Sequence, residues 1–516
     1  MTASGKRLLV YATLAAALVV GAYLRLTSIA ERPLWYDEAF TWHVAVPQTY
    51  GDWLLWQSRE PNHPPLSFIA ASLAMEALRS DAEWVLRLPS VICAIALLPS
   101  MFVLGFLVRG PGAGALAAAL AALAPNMIDQ GQQGRMYAML ALVVVWALGL
   151  CVRLLQGLRA GQDDGLVPWA ALGVLLGAAV WTNQLGVALV AGVLAGLPLA
   201  AVTEPSLRGR ERRARLLLRT ATCAAVALVV VSPGLGRLLS DVGRETTAGG
   251  VPISVLGIAR DVGETFVRLV GNPWGAAAAG LLAATGLATI VRRDRAVAGV
   301  LLLVVLAGIL LLFPLRQRHP FLAVRFLSAV EPVVWIAVAA GATAAFGRAR
   351  YAGLVSAAVV VVSLAATSAD LVDWRSRGRY VYPLAVIGVA ERVAEEEMVL
   401  FHPSFNRILG HYYGLPRYVP LQVALWKDPF VERKETLAET ARPPALWFVG
   451  GFTAKSALGE GRFEEQLAEI RALARWYGHE ARGEEIARQL RLGDVYVVRF
   501  DAAGIGLELE HRSTDP

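Results

Sequence analysis

A stretch rich in carboxylates and aromatics, Arg32-Pro-Leu-Trp-Tyr-Asp37-Glu38-Ala-Phe-Thr-Trp-His43, follows the first apolar run of the sequence. Adjacent acids beside a bilayer are costly to desolvate, and an ionisable group there points to function by default. The competing role for Asp37 or Glu38 is to cap the next helix, where a carboxylate suits the helix dipole. The same loop runs on to Glu60-Pro-Asn-His63-Pro64-Pro65-Leu66. Glu60 and His63 could be metal ligands, proton carriers or ordinary loop polars. The two prolines mark a rigid start to the next apolar run.

Two groups of arginines follow. Asn126-Met-Ile-Asp129-Gln-Gly-Gln-Gln133-Gly-Arg135-Met-Tyr137 comes after a helix break at Pro125. Arg135 is a permanently charged fork suited to a phosphate, and Tyr137 can add a hydroxyl contact. An interfacial Arg-Tyr anchor would use the same residues. The second group is Arg316-Gln-Arg318-His319-Pro-Phe-Leu-Ala-Val-Arg325-Phe326. Loop charges place it on the outer face, where excess positive charge opposes the orientation rule and asks for an anionic ligand. Arg325 is expected about a turn inside the next span, where an unpaired charge costs about 2.5–3.5 kcal/mol. The sequence has no GxxxxGK[ST] loop, HExxH or CxxC pair.

These residues need a membrane scaffold. The 516 residues are 56% hydrophobic and 17% charged, against about 25% charged in soluble domains. Apolar runs at 8–28, 86–108, 112–128, 136–156, 167–182, 184–203, 216–236, 274–291, 296–314, 323–346 and 351–370 are each near span length. The first reads as an uncleaved helix rather than a signal peptide. The net charge of +7 resides in short loops such as Arg208–Arg219 and Arg292–Arg295. That is the pattern of cytoplasmic loops, and it explains the charge without nucleic acid. The three cysteines read as small buried hydrophobes.

Counting spans from these loops puts the N-terminus inside and Asp37, Glu83–Arg87 and Arg135 outside. The count closes only if the loop 31–85 does not fully cross, so Pro64–Leu78 is expected to be re-entrant, interfacial or packed on the bundle. The expected architecture is an α-helical polytopic domain over 1–372, with about 11–13 helices, and an extracytoplasmic α/β domain over 373–516. Strand-like runs lie at Met398–Phe401, Ala445–Val449 and Val495–Phe500. Helical patterns cover Arg375–Glu397, Phe405–Tyr413, Phe463–Trp476 and Gly483–Leu490.

The order of motifs resembles the GT-C glycosyltransferases of the protein O-mannosyltransferase and lipid A aminoarabinose transferase type. An outward Asp-Glu, His63-Pro-Pro-Leu66, Arg87-Leu-Pro-Ser90 and Gln132-x-x-Arg-Met-Tyr137 occur in sequence. The likeness is close over roughly the first 160 residues and looser beyond. Gln133-Gly134 stands where Glu-Ala is frequent, Asn183-Gln184 where His-Tyr is common, and Arg325-Phe326 where Arg-Tyr is often found.

The resemblance implies inverting transfer of a sugar from a polyprenyl-phosphate donor to a hydroxyl of a glycan, lipid or protein acceptor. It implies a multi-pass protein of the bacterial inner membrane, in contact with membrane lipids. Asp37 would be the general base, taking the proton within the transition state. Glu38 would orient the acceptor or hold Asp37. Arg135 and Arg325 would stabilise the leaving phosphate, with Tyr137 and Arg318 completing the substrate-binding set. These residues establish no cofactor, and metal dependence stays open. Glu60 and His63 could hold a divalent cation near the phosphate, though a hard ion would need further carboxylates. Two other readings share the spans: a transporter or flippase of lipid-linked sugars, and a non-catalytic assembly subunit.

Overall fold

A computed structural model describes residues 2–45, 63–162, 164–205, 209–244, 255–318, 324–348, 350–373, 380–402, 407–415, 418–420, 445–451 and 495–501. The chain divides into two compact units, Met1–Ile29 with Ala45–Val372, and Ala30–Val44 with Asp373–Pro516. In chain order the helices are α1 (Ala3–Leu26), α2 (Tyr36–Ala45), α3 (Leu66–Leu78), α4 (Glu83–Arg109), α5 (Pro111–Leu123), α6 (Pro125–Gly131), α7 (Tyr137–Arg159), α8 (Val167–Thr182) and α9 (Gly186–Thr203). They continue with α10 (Arg210–Arg244), α11 (Val255–Val270), α12 (Pro273–Arg293), α13 (Arg295–Arg318), α14 (Glu331–Arg348) and α15 (Arg350–Asp370).

Every expected apolar run is helical, and the first unit is a polytopic α-helical membrane bundle. Among the described residues seven helices are long and apolar enough to span, or eight if α5 and α6 form one bent span. The run 112–128 divides at the expected Pro125 break into α5 and α6, with a 63° bend. One run differs from expectation. The run expected from 323 begins with a 3-10 turn, Val324–Leu327, before α14 starts at Glu331. The helix at α3 has 13 residues, or about 20 Å at 1.5 Å per residue, too short to cross; it packs on α4. A further helix, the amphipathic α11, had no counterpart among the expected spans.

Lipid gives no hydrophobic drive for helices to associate, so close packing must supply it. Gly173-Val-Leu-Leu-Gly177 of α8 lies against Cys223, Val226 and Val230 of α10, where a Cβ would collide. Gly192-Val-Leu-Ala-Gly196 of α9 meets Val300 and Val304 of α13 in the same way. Gly286 of α12 and Gly341 of α14 each face the other helix's backbone, near Ala337 and Leu282 respectively. At one set of helix ends Arg159 pairs with Asp294 and lies 3.6 Å from Glu204. Cys151 and Cys223 are buried, and all three cysteines are free.

The bend at Pro125 leaves carbonyls without donors, because proline has no N–H for the residue four before it. At membrane depth such groups must find protein partners. The fully buried Arg25 of α1 supplies them, donating from Nη2 to Ala121 O at 2.9 Å and from Nη1 to Ala122 O at 3.3 Å. Ser368 Oγ of α15 donates to Leu123 O at 2.6 Å. The broken span is thus held by side chains from two other helices.

The second unit contains α2, α16 (Val381–Ala390), β1 (Met398–His402), α17 (Arg407–Tyr412), β2 (Tyr418–Pro420), β3 (Ala445–Gly451) and β4 (Val495–Asp501). Its sheet runs β2-β1-β3-β4, with β1 parallel to β2 and β3, and β4 antiparallel to β3. Strands formed where alternating β-rich runs were expected. Within 375–397 the described helix is only Val381–Ala390. Beyond it Glu397 accepts hydrogen bonds from Ala394 N at 3.1 Å and Trp447 Nε1 at 2.7 Å, which favours a turn. The helices expected at Phe463–Trp476 and Gly483–Leu490 lie outside the described residues.

Candidate active site

In the bundle, the segment between α6 and α7 carries Arg135 and is tied down on three sides. Gln132 Nε2 donates to Leu24 O at 2.5 Å, at the end of α1. Gln133 Nε2 donates to Asp129 Oδ2 at 2.8 Å. Ser90 Oγ of α4 donates to the Arg135 carbonyl at 2.8 Å. Two residues of the Arg87-Leu-Pro-Ser90 motif therefore act as anchors, since Arg87 Nη1 also donates to Ile29 O at 2.6 Å. Gly134 is close-packed: a Cβ there would sit 2.9 Å from Leu86 Cγ, so alanine does not fit without a shift.

Arg135 is buried, and its Nη2 lies 3.4 Å from His63 Nε2. His63 stands just before Pro64-Pro65, the residues that fix the start of α3. Tyr137 opens α7 and is buried. Arg325 lies in the 3-10 turn rather than inside the following span, with its guanidinium carbon 5.6 Å from the Phe326 ring centroid. Ser328 Oγ donates to the Arg325 carbonyl at 2.7 Å. This turn packs on α6, which leads into the Arg135 segment.

A buried polar group at the start of α14 went unnoticed in the sequence. Glu331 accepts from Asn126 Nδ2 at 2.6 Å and from Trp335 Nε1 at 3.0 Å. Gln130 Nε2 reaches Asn126 Oδ1 at 3.4 Å. The signal available was a lone acid at 331, at the edge of an apolar run.

In the second unit, Asp37 and Glu38 occupy the first turn of α2. Glu38 is fully buried, and its Oε2 accepts from Trp35 N at 3.4 Å. That is the reach-back of a third-position glutamate to the capping residue, so capping belongs to Glu38. Asp37 is half-buried, and its carbonyl accepts from Thr41 Oγ1 at 3.1 Å.

The structure therefore brings His63 to Arg135 and Glu38 to the start of the helix that carries Asp37. Glu60 and the Arg318 side chain lie outside the described residues. Among the described residues no three His, Cys, Asp or Glu side chains gather as metal ligands. Asn183 caps the end of α8 and accepts from Leu185 N at 2.8 Å through Oδ1.

Comparison with known proteins agrees with this architecture. The profile of the dolichyl-phosphate-mannose-protein mannosyltransferase family matches residues 62–236. ArnT from Cupriavidus metallidurans superposes with a TM-score of 0.58 at 16% identity, over 98% of this chain and 100% of that one. The same protein has been solved bound to undecaprenyl phosphate. The archaeal oligosaccharyltransferase AglB from Archaeoglobus fulgidus, solved with an inhibitory peptide and a dolichol-phosphate, gives a TM-score of 0.54 at 14% identity. It matches over 91% of this chain and 71% of its own. No curated protein sequence matches the chain. The fold is that of the GT-C membrane glycosyltransferases, with a small α/β unit.

Proposed function

We propose that this chain is an inverting glycosyltransferase that moves a sugar from a polyprenyl-phosphate carrier to an acceptor hydroxyl on the outer face of the bacterial inner membrane. The observation that carries this reading is the buried Arg135, next to His63 on a loop pinned to α1 and α4. A buried, permanently charged fork with a fixed backbone suits an anion whose charge grows during reaction. The ligands of ArnT and AglB, undecaprenyl phosphate and dolichol-phosphate, are anions of that kind.

In the proposed reaction the acceptor oxygen attacks the anomeric carbon, the bond from that carbon to the phosphate oxygen breaks, and the lipid phosphate leaves. Asp37 takes the hydroxyl proton as the new bond forms, because a carboxylate is too weak a base to remove it beforehand. Arg135 and Arg325 stabilise the departing phosphate, and Tyr137 and Arg318 contribute to binding. Glu38 fixes the helix that carries Asp37. Glu60 and His63 could hold a divalent cation beside the phosphate. The N-terminus is assigned to the cytoplasm and residues 373–516 to the outer side.

The test is incubation of the purified protein with undecaprenyl-phosphate mannose, arabinose and aminoarabinose, following donor consumption and product configuration. Consumption of one donor with inversion supports the proposal. Movement of an intact lipid-linked sugar across vesicles, with no donor consumed, would establish the transporter reading instead.

A further inference from the structure

Within the second unit, α2 is held on both sides of Asp37 by three consecutive aromatic residues. Before it, the backbone N–H of the fully buried Leu34 donates to Tyr413 Oη at 2.8 Å. After it, Trp42 meets the ring of His411 edge-on at 5.2 Å and that of Tyr412 at 5.0 Å. Tyr412 and Tyr413 are themselves edge-to-face at 4.9 Å.

The sequence explains why these rings gather. The helix α17 stops at Gly414, whose φ of +73° favours glycine, and Leu415 N closes the turn on Gly410 O at 3.0 Å. His411 and Tyr412 thus end the helix, and Tyr413 stands between its end and Gly414. Leu34 lies in the irregular stretch before α2, where its N–H has no helical acceptor, and a buried N–H must find another.

We propose that this segment of the C-terminal unit sets the position of the Asp37 carboxylate, with Tyr413 as the principal positioning residue. The inference rests on Asp37 being the base assigned above. A base must stay within hydrogen-bond reach of the proton it takes, and a displacement of about 1 Å can cost about a hundredfold in rate. Fixing the chain three residues before Asp37 and five after it leaves the first turn of α2 little room to move. The C-terminal unit is on this account part of the transfer apparatus rather than an appendage to it.

The test uses the full-length protein with Tyr413→Phe, which keeps the ring and removes the accepting oxygen, and Tyr413→Ala. Three readouts are needed: hydrogen exchange over 33–45, affinity for undecaprenyl phosphate, and turnover of whichever undecaprenyl-phosphate mannose, arabinose or aminoarabinose the wild type consumes. In Tyr413→Phe we expect exchange about fivefold faster, transfer lowered about tenfold in kcat, and KM and undecaprenyl phosphate affinity unchanged. Tyr413→Ala should be worse in exchange and kcat alone. Unchanged exchange over 33–45, or equal loss of lipid affinity and transfer, overturns the proposal. If Asp37→Asn keeps full transfer while Tyr413→Phe still loosens 33–45, the base assignment has failed and the hold on α2 stands.

Discussion

The Arg135 segment and the Asp37 helix are held in opposite ways. Arg135 sits on a loop fixed by hydrogen bonds between side chains and backbone, reaching from Ser90, Gln132 and Gln133 within a helical bundle. Asp37 sits on a ten-residue helix fixed by a glutamate cap, one backbone-to-tyrosine hydrogen bond and a group of rings. In a membrane bundle backbone breaks must be satisfied by protein, so precision comes from polar side chains. In the second unit, aromatic packing does the same work. On the proposed roles, damage to one support should spare the function of the other.

Several substitutions can break or sharpen this contrast. The largest effect is expected from Asp37→Asn, which removes the proposed base and should lower kcat by about 10²–10⁴ while leaving folding intact. Arg135→Lys keeps the charge and loses the planar fork; transfer should fall by about 10²–10³, with weaker undecaprenyl phosphate binding. Arg25→Leu strips the donors from the buried carbonyls of Ala121 and Ala122. It should destabilise the bundle by about 3 kcal/mol, read as a lower melting temperature in detergent. Ser90→Ala should cost about 1 kcal/mol and loosen the 132–137 segment in hydrogen exchange without altering 33–45. Glu38→Gln can still accept from Trp35 N, so we expect a stability change below about 1 kcal/mol; a loss of transfer as large as that of Asp37→Asn would move the base assignment to Glu38.

Much of this was readable beforehand. Period-free apolar runs of span length, such as Tyr137–Arg159, became helices almost residue for residue, because length and hydropathy alone determine them. The break at Pro125 was visible in proline's missing donor, while its partners Arg25 and Ser368 lie 96 and 245 residues from the carbonyls they serve. Contacts at that range leave no local pattern. Arg325 was expected inside a helix because Val324 and Phe326 continue the apolar run, and tertiary context instead gave a 3-10 turn. The contact of Glu38 with Trp35 N followed from the helix start at Tyr36, a boundary that composition does not fix to one residue. The grouping of residues 30–44 with 373–516 has no sequence signature.

The most direct measurement follows transfer and undecaprenyl phosphate affinity in one preparation of Asp37→Asn beside wild type. The account predicts lipid affinity within about twofold of wild type and transfer lowered by at least about a hundredfold. Retained transfer, or lipid affinity lost in step with transfer, would contradict it.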